Sequence, residues 1–439
     1  MMAVIADRCR AIAVMVVDLN AERIAAWNDA DLSHLPVYAP GLNAAVGRAR
    51  GRNPHFSTAV EEAIAAADMV FISVNTPTKT KGLGAGQTSD LKWVEVSART
   101  VAKVAQGHTI VVEKSTLPVR TPAVIQEILD SAEGGKTFSV LSNPEFLAEG
   151  TAIPDLEAPD RVLIGGDDPA AIAALASIYG QWVPAERILT TNLWSREMSK
   201  LTANAFYAQR ISSINGIAAF CEATGADVRD VAKAIGADSP IGPKFLQAGP
   251  GFGGSCFQKD ILNLVYLCRH YGLEEVAAYW EQVVLLNTWQ QQRIARLVIT
   301  KLFGTVSGKR IGVLGFAFKA DTNDTRESPA IRICCDLLEE AAMLQIVDPK
   351  VSERQMALDL GHAPGAGEGS WHQVPDVLQA ASGADALLLL TEWQQFAAID
   401  WPALAAVMRR PAWLFDARVK ADAAVARAAG LQVWTVGEG

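Results

Sequence analysis

The run Ala13-Val14-Met15-Val16-Val17-Asp18 closes an apolar stretch on an acid, and the helix-like Ala21-Glu22-Arg23-Ile24-Ala25-Ala26-Trp27 follows it. An unbroken apolar run suits a strand buried on both faces of a parallel sheet, and a helix must then return the chain to the sheet's starting edge. Further strands fit Met69-Val70-Phe71-Ile72-Ser73-Val74, Thr109-Ile110-Val111-Val112 and Val162-Leu163-Ile164, each but the last followed by loop residues and a helical pattern. This rhythm predicts a doubly wound α/β half. From Trp194 to about Leu302 the pattern is helical, with long stretches over 199–223 and 273–302. The strand rhythm then returns in Arg310-Ile311-Gly312-Val313-Leu314 and in Leu344-Gln345-Ile346-Val347-Asp348-Pro349. Ala67-Asp68-Met69-Val70-Phe71-Ile72 is echoed by Ala384-Asp385-Ala386-Leu387-Leu388-Leu389, which supports two similar folds. The Gly- and Ala-rich stretch 361–370 reads as a surface loop.

A chain of 439 residues exceeds what one core serves, so two or three domains are expected. The net charge of −9 argues against a nucleic-acid or anionic-membrane partner, since neither polyanion would be attracted over long range. An anionic substrate would need a local cationic pocket. The opening apolar residues are interrupted by Asp7, Arg8 and Arg10, unlike a signal peptide, and no later apolar run has spanning length, so a cytoplasmic location is expected. The six cysteines, including the adjacent Cys334-Cys335, form neither a disulfide framework nor a metal pattern. They read as reduced thiols, with Cys9, Cys221 and Cys268 as core packing.

The stretch most suggestive of chemistry is Gly251-Phe252-Gly253-Gly254-Ser255-Cys256-Phe257-Gln258-Lys259-Asp260. Glycines permit close backbone approach to a ligand, and a nearby cation such as Lys259 favours the thiolate, the form that attacks carbon. The plainer reading is a glycine-rich turn carrying an incidental buried cysteine.

Other motifs occur in a fixed order around it: Val74-Asn75-Thr76-Pro77-Thr78, Glu113-Lys114-Ser115-Thr116, Ser142-Asn143-Pro144-Glu145-Phe146-Leu147-Ala148-Glu149-Gly150, Lys200-Leu201-Thr202-Ala203-Asn204-Ala205, Gly315-Phe316-Ala317-Phe318-Lys319 and Asp324-Thr325-Arg326-Glu327-Ser328. With them the chain resembles the UDP-glucose 6-dehydrogenases, within the UDP-glucose/GDP-mannose dehydrogenase family, from about Val14 to its end. The resemblance implies two Rossmann-like doubly wound domains joined by a central helical domain: NAD binding over 1–192, helical dimerisation over 193–303 and UDP-sugar binding over 304–439. It also implies a four-electron oxidation of the sugar C6 hydroxyl of UDP-glucose to a carboxylate, with two NAD reduced per turnover, and a homodimer or higher homo-oligomer. GDP-mannose and UDP-N-acetylmannosamine are the alternative substrates, and a non-catalytic sugar-nucleotide-binding relative is the alternative class.

By the same resemblance, Cys256 attacks the intermediate aldehyde and Glu145 activates the water that hydrolyses the resulting thioester, with Asp260 assisting through a water. Lys200 and Asn204, four residues apart on one helix face, stabilise the oxyanion, and Thr116 joins the catalytic set. Taken one at a time, Lys200 reads equally as a solvated helix lysine and Glu145 as a helix N-terminal acid. The implied NAD site comprises Asp18 on the ribose, Arg23, Val74, Asn75, Thr76, Pro77, Thr78, Ser115, Thr116, Glu149, Lys259 and Arg326. The implied substrate site comprises Glu145, Phe146, Leu147, Ala148, Glu149, Lys200, Asn204, Gln247, Gly251, Phe252, Gly253, Phe318, Lys319 and Arg418, with Lys319 offsetting phosphate charge.

Departures from the family pattern set further expectations. Only 17 residues precede Asp18 and no glycine precedes Gly41, so the first strand and the Gly-x-Gly-x-x-Gly turn that cradles pyrophosphate are expected to be missing. Residues 1–10 would be the helix after that turn. Weak NAD binding and exposed edges on two neighbouring strands are the expected results. Pro240 stands where the family typically has an arginine that reaches the substrate of a neighbouring subunit. Gln247 replaces a frequent lysine, Ala39 a glutamate and Ala417 a glycine, so the UDP-sugar site is expected to lose cationic character twice.

Overall fold

A computed structural model describes residues 1–77, 79, 81–82, 90–114, 121–147, 150–365 and 368–439. The chain divides into two compact units, Met1–Ala203 and Asn204–Gly439.

The first unit runs α1 (Met2–Arg8), β1 (Val14–Val17), α2 (Ala21–Asn28), α3 (Leu42–Ala49), β2 (Pro54–Ser57), α4 (Val60–Ala65), β3 (Met69–Ile72), α5 (Lys92–Val104), β4 (His108–Glu113), α6 (Thr121–Asp130), β5 (Thr137–Ser142), α7 (Ala152–Glu157), β6 (Val162–Gly165), α8 (Pro169–Tyr179) and β7 (Ile188–Thr191), and ends within α9 (Leu193–Thr224). Its strands form a parallel pair β1-β2 and a separate sheet of order β3-β4-β5-β6-β7. Among the described residues β1 therefore pairs only with β2, and β3 only with β4. The core is divided as well: Ile5, Cys9, Val14 and Ala49 pack beneath the pair, whereas Val112, Leu141, Ile164 and Leu175 pack on one face of the larger sheet.

One expectation is corrected here, because the strand at Val162 is followed by a helix after all. Asp168 accepts a hydrogen bond from Ala170 N–H at 2.9 Å and Pro169 takes the first helical position, a strong start signal. The helix is apolar almost all round, so no amphipathic period marked it.

The second unit continues from α9 through α10 (Val228–Gly236), α11 (Phe257–His270) and α12 (Glu274–Lys301). There follow β8 (Arg310–Leu314), α13 (Pro329–Glu339), β9 (Met343–Val347), α14 (Glu353–Leu360), β10 (Ser370–Gln373), α15 (Val377–Ala381), β11 (Ala386–Leu389), α16 (Trp401–Val407), β12 (Trp413–Asp416), α17 (Ala423–Ala428) and β13 (Gln432–Thr435). The strands form one parallel sheet of order β10-β9-β8-β11-β12-β13. Chain order reverses between β8 and β11, so the crevice outside their carboxyl ends is where such a sheet binds ligands. Four-residue strands such as Ala386–Leu389 are fully buried, as the apolar runs in the sequence require. The core is continuous, from Val306 on the approach to β8 through Phe316, Trp371, Phe396 and Phe415. Asp348, just after β9, accepts from the backbone N–H groups of Phe316 at 2.7 Å and Ala317 at 3.0 Å, which ties down the loop after β8.

Candidate active site

In the second unit the glycine loop leads directly into α11, with Cys256 at the helix N-cap and half-buried. Gly251 has φ +126°, and a Cβ there would stand 2.7 Å from Asn287 Oδ1, so the position admits only glycine without strain. The loop is held by buried polar side chains that sequence reading did not single out. Asn287 accepts from Phe252 N–H at 2.8 Å and donates to Phe252 C=O at 3.0 Å. Gln290 donates to Gly249 C=O and Asn215 accepts from Gly249 N–H, both at 2.8 Å. Unlike a loop that leans on solvent, this one has its peptides fixed from α9 and α12.

On the other side the loop meets the segment after β8. Gly254 N–H donates to Arg326 C=O at 2.8 Å, and a Cβ on Gly253 would approach Glu327 C=O to 2.5 Å. Phe318 lies against Gly254 at about the limit of side-chain contact, its ring 3.0 Å from where a Cβ would stand. One helical turn beyond Cys256, Asp260 is buried and accepts from Asn204 Nδ2 at 2.6 Å. Arg418, after β12, donates to Leu390 C=O at 2.7 Å and Phe318 C=O at 2.8 Å and pairs with Glu392 at 3.1 Å. Phe318, Lys319 and Arg418 therefore gather at the carboxyl ends of β8 and β12, beside the reversal in strand order. Arg326 pairs with its near neighbour Asp324, its Nε 2.9 Å from a carboxylate oxygen. Gln247 is exposed, and Lys259 lies in the first turn of α11.

In the first unit, Asp18 follows β1, accepts from Asn20 N–H at 2.9 Å and pairs with Arg23 at 3.4 Å. Its carboxylate is more than a third exposed, which suits an acceptor for ribose hydroxyls. Val74, Asn75, Thr76 and Pro77 follow β3, and Pro77 C=O accepts from Asp90 N–H at 2.7 Å. These residues fit the ribose end of a dinucleotide. Glu145 and Phe146 follow β5, with Lys200 Nζ 5.1 Å and the Arg161 guanidinium 4.0 Å from the Phe146 ring centroid. Leu147 packs with Val4, Leu42 and Ile153. Lys200 is buried on the first-unit part of α9, and Asn204 opens the second-unit part. Thr78, Ser115, Thr116, Ala148 and Glu149 lie outside the described residues.

Three family models cover successive parts of the chain. Residues 1–183 match the NAD binding domain, 194–289 the central domain and 312–423 the UDP binding domain of the UDP-glucose/GDP-mannose dehydrogenase family. The chain belongs to that family. It is 52% identical to UDP-glucose 6-dehydrogenase 2 of Oryza sativa subsp. japonica over 456 residues, covering 100% of this chain and 94% of that one. It is equally similar, at 52% over 459 residues and with the same coverage, to UDP-glucose 6-dehydrogenase 1 of Arabidopsis thaliana. Among solved structures, a UDP-glucose dehydrogenase from the hyperthermophilic archaeon Pyrobaculum islandicum superposes with a TM-score of 0.85 at 30% identity, covering 100% of this chain and 94% of that one. As a member of the UDP-glucose/GDP-mannose dehydrogenase family, the chain is an NAD-dependent dehydrogenase. No helix among the described residues is long and apolar enough to cross a membrane.

Proposed function

We propose that the chain oxidises C6 of UDP-glucose to a carboxylate, giving UDP-glucuronate, with Cys256 as covalent nucleophile. The observation that carries this reading is the half-buried Cys256 at the start of α11, on a pinned glycine loop, with the buried Asp260–Asn204 pair one turn away. Bound NAD would accept a hydride at each of the two oxidations. Cys256 adds to the aldehyde through sulfur, the thiol proton passing to the carbonyl oxygen, and loss of a hydride from carbon together with the hydroxyl proton converts the resulting thiohemiacetal to a thioester. A covalent tether keeps the aldehyde from escaping. Glu145 removes a proton from the water that attacks the thioester, the C–S bond breaks, and the thiol is restored as the carboxylate departs. Lys200 and Asn204 supply hydrogen bonds to the oxyanion, each such donor contributing on the order of 100-fold in rate. Phe318, Lys319 and Arg418 bind the uridine diphosphate, and Asp18 with Arg23 the cofactor ribose. The corresponding domains are 1–192, 193–303 and 304–439.

UDP-glucose is favoured over GDP-mannose and UDP-N-acetylmannosamine by the 52% identity to plant UDP-glucose 6-dehydrogenases. The functional unit is a homodimer built on the central helices. Phe206, Ile217 and Phe220 on α9 and Tyr279, Leu285 and Trp289 on α12 are large apolar side chains left exposed, an unusual concentration for helices that stay single.

The test is NADH production on the three sugar nucleotides, followed by Cys256→Ser. UDP-glucose should be preferred, and the serine variant should bind it at near-parental strength while releasing no UDP-glucuronate. Parental release by that variant would refute the covalent route.

A further inference from the structure

Next to Glu145, in the same unit, is a lysine to which the scheme gives no role. Lys114 immediately follows β4, and its side chain is 3% exposed. Its Nζ donates to Asn143 Oδ1 at 3.0 Å and to the Tyr179 hydroxyl oxygen at 3.4 Å, and stands 3.7 Å from Glu145 Oε1. The tether is itself fixed. Tyr179 donates to the same Asn143 oxygen at 2.6 Å, and Asn143 Nδ2 donates to Leu163 C=O at 2.9 Å. A buried ammonium is costly unless it has a counter-charge. The neighbouring carboxylate Glu113 is engaged by Ser142 at 2.7 Å and Arg196 at 3.4 Å and acts on Lys114 through space, whereas Glu145 pairs with Lys114 at 3.7 Å.

We propose that Lys114 is a positioning residue for Glu145, holding its carboxylate in one orientation for the attack of water on the thioester. This rests on Glu145 being the base. The arrangement places a rigidly held cation behind a carboxylate that is itself 36% exposed, so the acid can reach water while its inner side is anchored.

The charged and titratable groups around Lys114 come from five elements: Glu113 at the end of β4, Glu145 after β5, Tyr179 at the end of α8, Arg196 on α9 and the Met1 amine. Burial is the main influence on Lys114 and brings its pKa down to about 8, with Glu145 opposing the shift. Burial also lowers the Met1 amine below its ordinary 8.0 and the Arg196 guanidinium below its own usual value, while it pushes the Tyr179 hydroxyl up, so that group stays a neutral donor. An ordinary base gives a rate that only rises with pH. Here the base loses its counter-charge when Lys114 deprotonates, so the rate should fall again on the alkaline side.

The experiment follows kcat and KM from pH 6 to 9.5, at saturating NAD, for the parent chain, Lys114→Met, Lys114→Arg, Tyr179→Phe and Glu145→Gln. Lys114→Met should lower kcat at least about tenfold with little change in KM for UDP-glucose, and mass spectrometry should find sugar nucleotide retained on Cys256. Lys114→Arg keeps its charge throughout this range and should abolish the alkaline fall. Tyr179→Phe removes one tether but no charge, so it should cost less in kcat and keep the fall; with Lys114→Arg it decides the matter if Lys114→Met does not fold. Parental kcat in Lys114→Met, or an alkaline fall persisting in Lys114→Arg, overturns the inference. Parental kcat in Glu145→Gln would overturn the base assignment itself, whereas a slow Glu145→Gln beside a parental Lys114→Met overturns the positioning role alone.

Discussion

Asn204 Nδ2 donates to Asp260 Oδ2 at 2.6 Å, and both side chains are buried. The bond ties α9 to the first turn of α11, the turn that Cys256 caps, so the cysteine's helix is registered from beneath by a polar pair. Asp260→Asn preserves shape and can still accept from Asn204, so its stability should stay within about 1 kcal/mol of the parent by chemical denaturation. Turnover should nonetheless fall on the order of 100-fold, because the carboxylate proposed to assist water is gone. Comparable losses in both measurements would make Asp260 a structural residue only.

Gly251→Ala should be far more damaging than a methyl group suggests. The added Cβ would meet Asn287 Oδ1 at 2.7 Å in a conformation with φ +126°. We expect about 2–4 kcal/mol of destabilisation together with loss of turnover, since Asn287 must release the Phe252 peptide to make room. Thermal melts and NADH production check both halves of this expectation.

Lys114 also leaves a signature in stability. Its folded pKa of about 8 lies below the ordinary 10.5, so the fold penalises the charged form. The penalty is complete below pH 8 and is relieved as pH climbs through 8 toward 10.5. Between pH 7.5 and 10.5 the parent should therefore gain about 3 kcal/mol relative to Lys114→Met in denaturant titrations. A constant difference between the two across that window would contradict it.

Phe220 is the most exposed of the large apolar residues on α9. If the proposed dimer forms through this face, Phe220→Glu should shift sedimentation from dimer to monomer at roughly micromolar concentration, since the new carboxylate would be left unpaired in an apolar contact. An unchanged dimer would move the interface off this face.

Much of this architecture could be read from the chain because its strands are buried on both faces and appear as apolar runs. Val14–Val17, Arg310–Leu314 and Ala386–Leu389 announce themselves in this way. Thr137–Ser142 and Pro54–Ser57 did not, because Ser139, Ser142 and His55 interrupt the apolar signal. The Cys256 loop was conspicuous through its glycines. The side chains that hold it were invisible: Asn215, Asn287 and Gln290 sit mid-helix, where amides look like solvent-facing polar residues, and their partners lie 34, 35 and 41 residues away. Lys114 was visible as part of a motif, but only folding brings Tyr179, 65 residues on, to its ammonium.

The amide grip on residues 249–252 also sets how the loop exchanges hydrogen with solvent. Irregular backbone ordinarily trades its amide protons quickly, yet Gly249 and Phe252 donate theirs to Asn215 and Asn287, side chains rooted in α9 and α12. Their deuterium uptake should follow the separation of those two helices and run as slowly as that of the helix interiors. The Cys256 loop then has the lifetime of the scaffold, and any motion that admits a sugar nucleotide must come from elsewhere in the chain.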